Sequence, residues 1–234
     1  FPCSFRPIPD FAYLLFSTAR KAEQNQVWVG MSKETAHQLG TPLSSMLAWV
    51  ELLREKEEGK AIADELEKDI NRLQVVTERF SKIGSQPELV EQDLVPIIQE
   101  EVEYFEHRFG KKVDFELILP NYPIIVTLNS SLFEWVIENL IKNAIDAMDG
   151  IGKITVELVD LGHKAHLEVS DTGKGLANTQ FKRVFDPGFT TKKRGWGLGL
   201  SLSKRIIKEY HSGKIYVLKS EIGKGTTFRI SLRK

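Results

Sequence analysis

The sequence has little cysteine, no long apolar run and no excess of charge of either sign. Its single cysteine, Cys3, has no partner for an intramolecular disulfide or a cysteine-based zinc site, which favours a reducing compartment. The longest apolar run, residues 11–16, has six residues, whereas a membrane helix needs about 20, so we expect no part of this chain to cross a bilayer. The 32 basic and 32 acidic side chains cancel, so any site for an anionic partner must be local.

Residues 1–16 form a separate leading segment in this interpretation. The apolar run stands shortly before Arg20 and Lys21, as at the cytoplasmic end of a membrane helix that has been cut short. A frayed tail or a fusion scar explains the same residues equally well. Both alternatives stay open.

The rest of the chain is long enough for one large domain or for a medium domain with a smaller element. It has 234 residues, of which 41% are hydrophobic and 27% charged, so it can bury a sizeable core. A breaker cluster at residues 84–87 separates two periodicities. We therefore expect two domains, one over residues 17–84 and one over residues 88–234.

The first of these domains has a purely helical pattern on both sides of a turn at residues 58–60. Apolar residues recur at steps of three and four, which predicts an antiparallel helical hairpin. Two helices alone leave much of each apolar stripe in water, so we expect two hairpins to pair as a four-helix bundle in a homodimer. The apolar positions are Leu39, Leu43, Met46, Val50, Leu53, Ile62, Leu66, Leu73, Val76, Phe80 and Ile83.

The second domain mixes helical and strand periods, which predicts an α/β layer structure. The pattern predicts helices near residues 89–109, 130–148 and 198–211, and strands near residues 113–118, 153–160, 164–170, 214–219 and 225–232. Between them, residues 171–197 form a glycine-rich stretch with little regular pattern, and a stretch of that length is usually functional or disordered.

Two features of this domain suit a phosphate-bearing ligand. Gly195, Gly197 and Gly199 lead into a helical pattern, where free amides favour an anion, although a flexible turn explains glycine equally well. Eight basic residues lie between residues 182 and 208 with Asp186 as the one acidic residue among them. Asn139 and Asn143 stand one turn apart and supply oxygen ligands that suit Mg²⁺, unless they are simply surface amides.

Taken together and in order, these motifs resemble the sequence boxes of sensor histidine kinases. The boxes of the ATP-binding domain correspond to Asn-x3-Asn at 139–143, Asp-x-Gly-x-Gly at 171–175, Phe-Asp-Pro-Gly-Phe-Thr-Thr-Lys at 185–192, Gly-x-Gly-x-Gly at 195–199 and Gly-Lys-Gly-Thr at 223–226. His-Gln-Leu-Gly-Thr-Pro-Leu at 37–43 resembles the H box of the dimerization and phosphotransfer domain. The resemblance implies a Bergerat-type α/β sandwich after the hairpin, and ATP-dependent autophosphorylation of a histidine.

The resemblance also assigns residues to roles. It makes His37 the phospho-acceptor, Gln38 its orienting neighbour and Thr41 the residue that orients water for a phosphatase reaction. It implies that Asp171 accepts a hydrogen bond from adenine, that Gly173 and Gly175 let the backbone approach the base, and that Asn143 ligates Mg²⁺. It also implies that Thr190, Thr191 and Lys192 belong to a lid near the γ-phosphate and that Thr226 lies near the phosphates. The implied nucleotide-binding residues are Asn139, Asn143, Asp171, Gly173, Gly175, Phe189, Thr190, Thr191, Lys192, Gly195, Gly197, Leu198, Gly199 and Thr226.

One departure from the family pattern leaves an alternative open. The family usually has a glutamate after the histidine, and Gln38 can orient the ring but cannot take up its proton. A kinase-silenced dimeric scaffold or a phosphatase-biased module is therefore the alternative to an active kinase. Gyrase-type ATPases share the fold and keep a catalytic glutamate where this chain has Asn139, which favours transfer to His37 over hydrolysis.

The resemblance implies ATP and Mg²⁺ as ligands, and a homodimer and a response-regulator receiver domain as partners. It implies no nucleic acid, and a membrane only through a segment absent from this chain. We expect the cytoplasmic portion of a bacterial inner-membrane protein. The stimulus, the cognate regulator and the choice between phosphorylation within or between protomers cannot be read from these residues.

Overall fold

The computed structural model describes most of the second half of the chain and parts of the first. The described residues are 39, 42–54, 59–60, 62–64, 66–67, 70–71, 73–74, 77, 87–191 and 197–234. The chain divides into two compact units, Phe1–Gln86 and Pro87–Lys234. The segment 1–16 lies outside the described residues. No helix within the described ranges combines the length and apolar character that crossing a bilayer requires.

The first unit contains two helical stretches that share a small apolar core. Residues 42–54 form one helix, and the described residues from 60 to 77 are helical as well. Leu43 and Val50 of the first stretch are buried with Ala63 and Ile70 of the second. Arg54 adds a polar link near the turn, because its guanidinium lies 3.1 Å from Asp64 and 2.5 Å from Glu67.

A second set of apolar side chains in this unit is exposed. Their exposed fractions lie between 41% and 66%, which is unusual for side chains of this size and type. The residues are Leu39, Met46, Trp49, Leu52, Ile62, Leu66 and Leu73. One hairpin therefore buries only part of its apolar surface.

The second unit is a sheet covered by helices on one face, which confirms the predicted α/β sandwich. Its strands are β1 (Val90–Asp93), β2 (Val113–Ile118), β3 (Ile125–Leu128), β4 (Gly152–Asp160), β5 (Lys164–Asp171), β6 (Lys214–Glu221) and β7 (Gly225–Arg233). Its α-helices are α1 (Leu94–Phe109), α2 (Ser130–Ala147) and α3 (Gly199–Arg205). A π-helical segment, Ile206–Tyr210, continues α3, and short 3-10 turns cover Asn178–Gln180 and Arg183–Phe185.

The main sheet has five strands in the order β2-β4-β5-β7-β6. β2 and β4 run parallel, and the other neighbouring pairs are antiparallel. Alternate residues on β4 and β5 are buried because that face of the sheet packs against α2. The register places Asp171 at the end of β5, beside Thr226 at the start of β7. Both residues therefore stand where the sheet meets the end of α2.

The predicted helix over residues 89–109 is wrong in its first residues. Val90–Asp93 is a strand, β1, which pairs with the unpredicted strand β3. The helix begins at Leu94 because the Asp93 carboxylate accepts the Val95 amide at 3.1 Å and also the Ile124 amide at 2.9 Å. Each of these strands has four residues, too few for a clear period.

Candidate functional site

Asp171 is a buried carboxylate at the end of β5, with 8% of its surface exposed. Its Oδ1 accepts hydrogen bonds from the amides of Gly173, at 2.8 Å, and Thr226, at 3.3 Å. Burial raises the pKa of the carboxyl, and these two hydrogen bonds act in the opposite direction. Among the described residues no donor reaches Oδ2, which is not sealed from solvent. One oxygen thus shapes the loop and the other is open to a ligand.

Three glycines let the backbone around Asp171 approach neighbouring segments closely, two in the loop after it and one, Gly225, at the start of β7. A Cβ on Gly173 would lie 2.6 Å from the carbonyl oxygen of Ala147, at the end of α2. Gly175 has φ +69°, and a Cβ there would lie 2.0 Å from the Glu221 carbonyl oxygen. At Gly225, with φ +113°, a Cβ would lie 1.8 Å from the Asp171 carbonyl oxygen. No other residue fits these positions without displacing the backbone.

Ser220 joins this loop to the last strand pair. Its hydroxyl accepts the Leu176 amide at 2.7 Å, donates to the Gly225 carbonyl at 2.9 Å and lies 2.9 Å from the Thr226 hydroxyl. Thr226 therefore stands beside Asp171, at the predicted adenine end, although the resemblance places it near the phosphates. The sequence analysis missed Ser220 because its place depends on the register of β6 against β7, which no local motif encodes.

Helices α2 and α3 form the predicted phosphate end of the site. The Asn139 side chain donates from Nδ2 to the Ser203 hydroxyl at 2.9 Å. A Cβ on Gly199 would lie 2.3 Å from Asn139 Oδ1, so α3 begins in direct contact with this amide. Asn143, half-buried, follows one turn later on the same face of α2. Ser203 was missed, although its position one turn after Gly199 could have indicated it.

Two glycines of the glycine-rich stretch are hydrogen-bonded to each other at the base of the predicted lid. The Gly188 amide donates to the Gly197 carbonyl at 3.1 Å, and Gly197 has φ +65°. Leu198 follows as the residue that caps α3, and its carbonyl accepts the Leu202 amide at 3.0 Å. The hydrogen bond between Gly188 and Gly197 therefore joins the described residues that precede and follow residues 192–196.

Two further contacts hold the residues before the predicted lid. The Arg183 guanidinium stands over the Phe189 ring at 5.6 Å. Lys174 donates from Nζ to the Thr191 hydroxyl at 3.2 Å, which ties the lid base to the loop after Asp171. Thr190, next to Thr191, is exposed. No motif along the chain indicates this contact of Lys174.

The described site residues thus lie along α2. The loop after Asp171 contacts Ala147 at the end of this helix, and Gly199 contacts Asn139 about two turns earlier. Five predicted site residues, His37, Gln38, Thr41, Lys192 and Gly195, lie outside the described residues.

Comparison with protein-family models gives two matches that divide the chain between them. Residues 30–86 match the His Kinase A (phospho-acceptor) domain. Residues 129–234 match the histidine kinase-, DNA gyrase B- and HSP90-like ATPase. The two matches cover the helical stretches and the layered unit respectively.

Individual relatives agree with these matches. Sporulation kinase D of Bacillus subtilis is 30% identical over 216 residues, which are 86% of this chain and 41% of that kinase, so the chain spans less than half of this curated relative. The solved catalytic domain of the histidine kinase ThkA is 32% identical, with a TM-score of 0.58 over 63% of this chain and 97% of that one. A solved complex of ThkA with the response regulator protein TrrA is 26% identical, with a TM-score of 0.61 over 95% of this chain and 66% of that one.

A Bergerat-type ATP-binding sandwich linked to a phospho-acceptor hairpin defines a class of nucleotide-dependent phosphotransfer proteins. The chain belongs to the sensor histidine kinase family, and it comprises the catalytic core of such a kinase.

Proposed function

We propose that this chain binds ATP in its second unit, transfers the γ-phosphoryl group to His37 and passes it to an aspartate of a response-regulator receiver domain. The observation that carries the proposal is the buried Asp171 carboxylate, whose free oxygen opens beside a loop that only glycine can form. A match to a phospho-acceptor domain that includes His37 stands in the same chain.

Adenine recognition is assigned to Asp171. Its Oδ2 is a charged acceptor with no donor among the described residues, and the exocyclic amino group of adenine supplies an N–H donor. The tight backbone around Gly173 fixes this oxygen in place before the ligand arrives, which reduces the entropy lost on binding. The site therefore fits an aminopurine rather than a base with a carbonyl at that position.

The phosphate groups are assigned to the other part of the site, near Asn139, Gly199 and the base of the lid. Asn143 would hold Mg²⁺ there, and the ion would neutralise charge on the phosphate oxygens. The carboxamide oxygen of Asn143 suits this role, because Mg²⁺ prefers oxygen ligands and commonly takes several of them from phosphates and water. The phosphates would supply further ligands.

His37 is the proposed nucleophile. A neutral imidazole, the main form near pH 7 given a reference pKa of about 6.5, attacks the γ-phosphorus with its free nitrogen. The N–P bond forms while the bond from phosphorus to the β,γ-bridging oxygen breaks, and ADP leaves. The Gln38 carboxamide orients the other ring nitrogen, and the proton of that nitrogen goes to water because an amide cannot take it up.

The second transfer moves the phosphoryl group from His37 to a carboxylate. An aspartate oxygen of a receiver domain attacks phosphorus, the N–P bond breaks and the imidazole is regenerated. The ThkA–TrrA complex shows such a regulator bound to a related kinase, which supports this partner. The role proposed for Thr41 is to orient water for the reverse loss of the aspartyl phosphate.

The proposed active species is a homodimer. Seven large apolar side chains of the hairpin stay exposed in one protomer, and a second hairpin would cover them in a four-helix bundle. The cytoplasmic face of a bacterial inner membrane is the predicted location of this core.

Incubation with γ-labelled ATP and Mg²⁺ tests the proposal. Wild-type protein should gain a label that acid removes and base does not, and His37→Ala should gain none. His163→Ala is the matched control, because His163 is an exposed histidine of the other unit. A wild-type protein that gains no label would refute autophosphorylation and restore the silenced scaffold, which the similarity to named kinases does not favour.

A further inference from the structure

A buried histidine joins the two helices that flank the predicted phosphate end. His211, 6% exposed, follows the π-helical segment. Its Nε2 accepts the Asn129 amide at 3.1 Å, and its Nδ1 lies 2.9 Å from the Ile206 carbonyl oxygen. An amide N–H can only donate and a carbonyl can only accept, so the ring is neutral with its proton on Nδ1. The Phe133 ring stands edge-on at 6.4 Å.

The hydrogen bond between His211 and Asn129 bears on α2, because Asn129 is the N-cap of that helix. The Asn129 side-chain oxygen accepts the Leu132 amide at 3.1 Å. A displacement of Asn129 therefore displaces the first turn of α2. Ile206, whose carbonyl bonds to the other ring nitrogen, is the C-cap of α3 and begins the π-helical segment.

The two helices run antiparallel and are joined at a second point nearer the site. Asn129 at the start of α2 meets His211, whereas Asn139, ten residues further on, bonds to Ser203 within α3. At a rise of 1.5 Å per residue the two links are about 15 Å apart along α2. The ring of His211 thus fixes one end of the helix pair whose other part contains Asn139 and Gly199.

We propose that His211 is a positioning residue for the nucleotide site, whose neutral ring sets the register of α2 against α3, so that loss or protonation of the ring weakens nucleotide binding without contact with the nucleotide. This inference rests on the proposed function of the site. It adds a residue and a pH response that the motifs do not assign.

Protonation of the His211 ring would break its hydrogen bond with Asn129 and so disturb the register of α2 against α3. A protonated Nε2 would place an N–H against the N–H of Asn129, two donors with no acceptor between them. Burial lowers the pKa of His211, and the two hydrogen bonds act against that shift. Among the described residues no charged group faces the ring: α2 presents Phe133 and the Asn129 amide, the π-helical segment presents the Ile206 carbonyl, and no side-chain charge contributes to the shift.

The lowered pKa of His211 determines how its contribution to stability changes with pH. A base with a folded pKa below its unfolded value of 6.5 favours folding in its neutral form. Its contribution is complete above about pH 6.5 and is lost as the pH falls toward the folded pKa. The effect on binding should therefore appear on the acid side.

Two variants separate the bridge from its charge. His211→Gln keeps an acceptor for Asn129 and a donor for Ile206 but does not titrate, whereas His211→Phe removes both hydrogen bonds. His166→Gln is the control, because His166 is half-buried on β5 and burial also lowers its pKa, yet it bonds neither helix. The full chain is titrated with Mg·ADP by calorimetry from about pH 8 down to the lowest pH at which circular dichroism shows the protein still folded, because the folded pKa lies below the reference histidine value.

The expected results differ between the variants. Near pH 8, His211→Phe should bind Mg·ADP about three- to tenfold more weakly, and His211→Gln within about twofold of wild type. Toward the acid end of this range, wild type should lose affinity more steeply than His211→Gln. Protonation of Asp171 or of the nucleotide weakens both proteins equally and cancels in this comparison. His166→Gln should follow wild type.

A second readout does not need the nucleotide. The Gly199 amide resonance of the free wild-type protein should follow the titration of His211, and it should lose this dependence in His211→Gln. A purely stabilising ring would lower the melting temperature of His211→Phe without changing the Kd, and that result would overturn the role.

Two failures are distinguishable. Superposed pH profiles for wild type and His211→Gln, in proteins that bind Mg·ADP, would overturn the role of His211 alone. A wild-type protein that binds no Mg·ADP at any pH would overturn the proposed function and this role together.

Discussion

Replacement of Asp171 by asparagine should separate nucleotide binding from stability. The carboxamide that this variant introduces keeps one oxygen, which can still accept the amides of Gly173 and Thr226. Its nitrogen would replace the free Oδ2 and present a donor to the donor of adenine. A hydrogen bond to a charged acceptor contributes about 1.5–3 kcal/mol, so Asp171→Asn should bind Mg·ADP about 10- to 150-fold more weakly.

The same substitution should not destabilise the fold. Burial raises the folded pKa of Asp171 above its ordinary value of 3.8, so folding favours the protonated acid. That contribution is complete below about pH 3.8 and is lost as the pH rises through the folded pKa, so that the ionised carboxylate costs stability above that pKa. Asparagine removes the charge, so the melting temperature near pH 7 should stay the same or rise.

Calorimetry with Mg·ADP and thermal denaturation measure the two effects. Asp160→Asn is the matched control, because this carboxylate ends the neighbouring strand β4 and pairs with Lys234. It should leave the Kd unchanged. Binding by Asp171→Asn within about twofold of wild type would refute the assignment of adenine recognition, since even a weak hydrogen bond of this kind exceeds that factor.

The remaining predictions concern the loop and the hairpin. Gly175→Ala combines a left-handed φ with a clash against the Glu221 carbonyl, so it should lower the free energy of unfolding by about 2–5 kcal/mol in urea denaturation. Gly162→Ala, where φ is +80° and no atom stands within 4 Å of an added Cβ, should lower it by only about 1–2 kcal/mol. Leu73→Glu should convert the proposed dimer to a monomer in light scattering, because it charges an exposed apolar side chain. Asn71→Glu, which alters an exposed polar residue of the same stretch, should leave the proposed dimer intact. Equal losses at the two glycines, or a dimeric Leu73→Glu, would contradict these accounts.

The sequence predicts the elements of the second unit where a long pattern faces one buried surface. The strands β4 and β5 have nine and eight residues with alternate side chains buried, and α2 has 18 residues with a continuous apolar face. Patterns of this length determine both the type of element and the face that it buries. The short strands β1 and β3 lack such a pattern and depend on each other for their hydrogen bonds.

The motifs predict which residues surround the site but not how they are held. The family resemblance implies that Gly173 and Gly175 let the backbone approach a base. The structure shows in addition that Gly173 packs against the Ala147 carbonyl and Gly175 against the Glu221 carbonyl. Such contacts depend on how separate elements pack, which no spacing along the chain reveals. The link through His211 was missed for the same reason, since a histidine at that position reads as an ordinary packing residue.

Two features that oppose stability meet at Asp171, and their coincidence is an argument for ligand binding. Asp171 is a buried carboxylate with a raised pKa, and Gly175, four residues later, has a left-handed backbone conformation and leaves no room for a Cβ beside the Glu221 carbonyl. A left-handed glycine alone marks no site, since Gly150 and Gly162 of the same unit also adopt this conformation, with nothing within 4 Å of an added Cβ. The combination of a tight glycine loop with a buried carboxylate whose Oδ2 has no donor among the described residues suits a nucleotide site, because sites for ligands tolerate local arrangements that a stable core would not select.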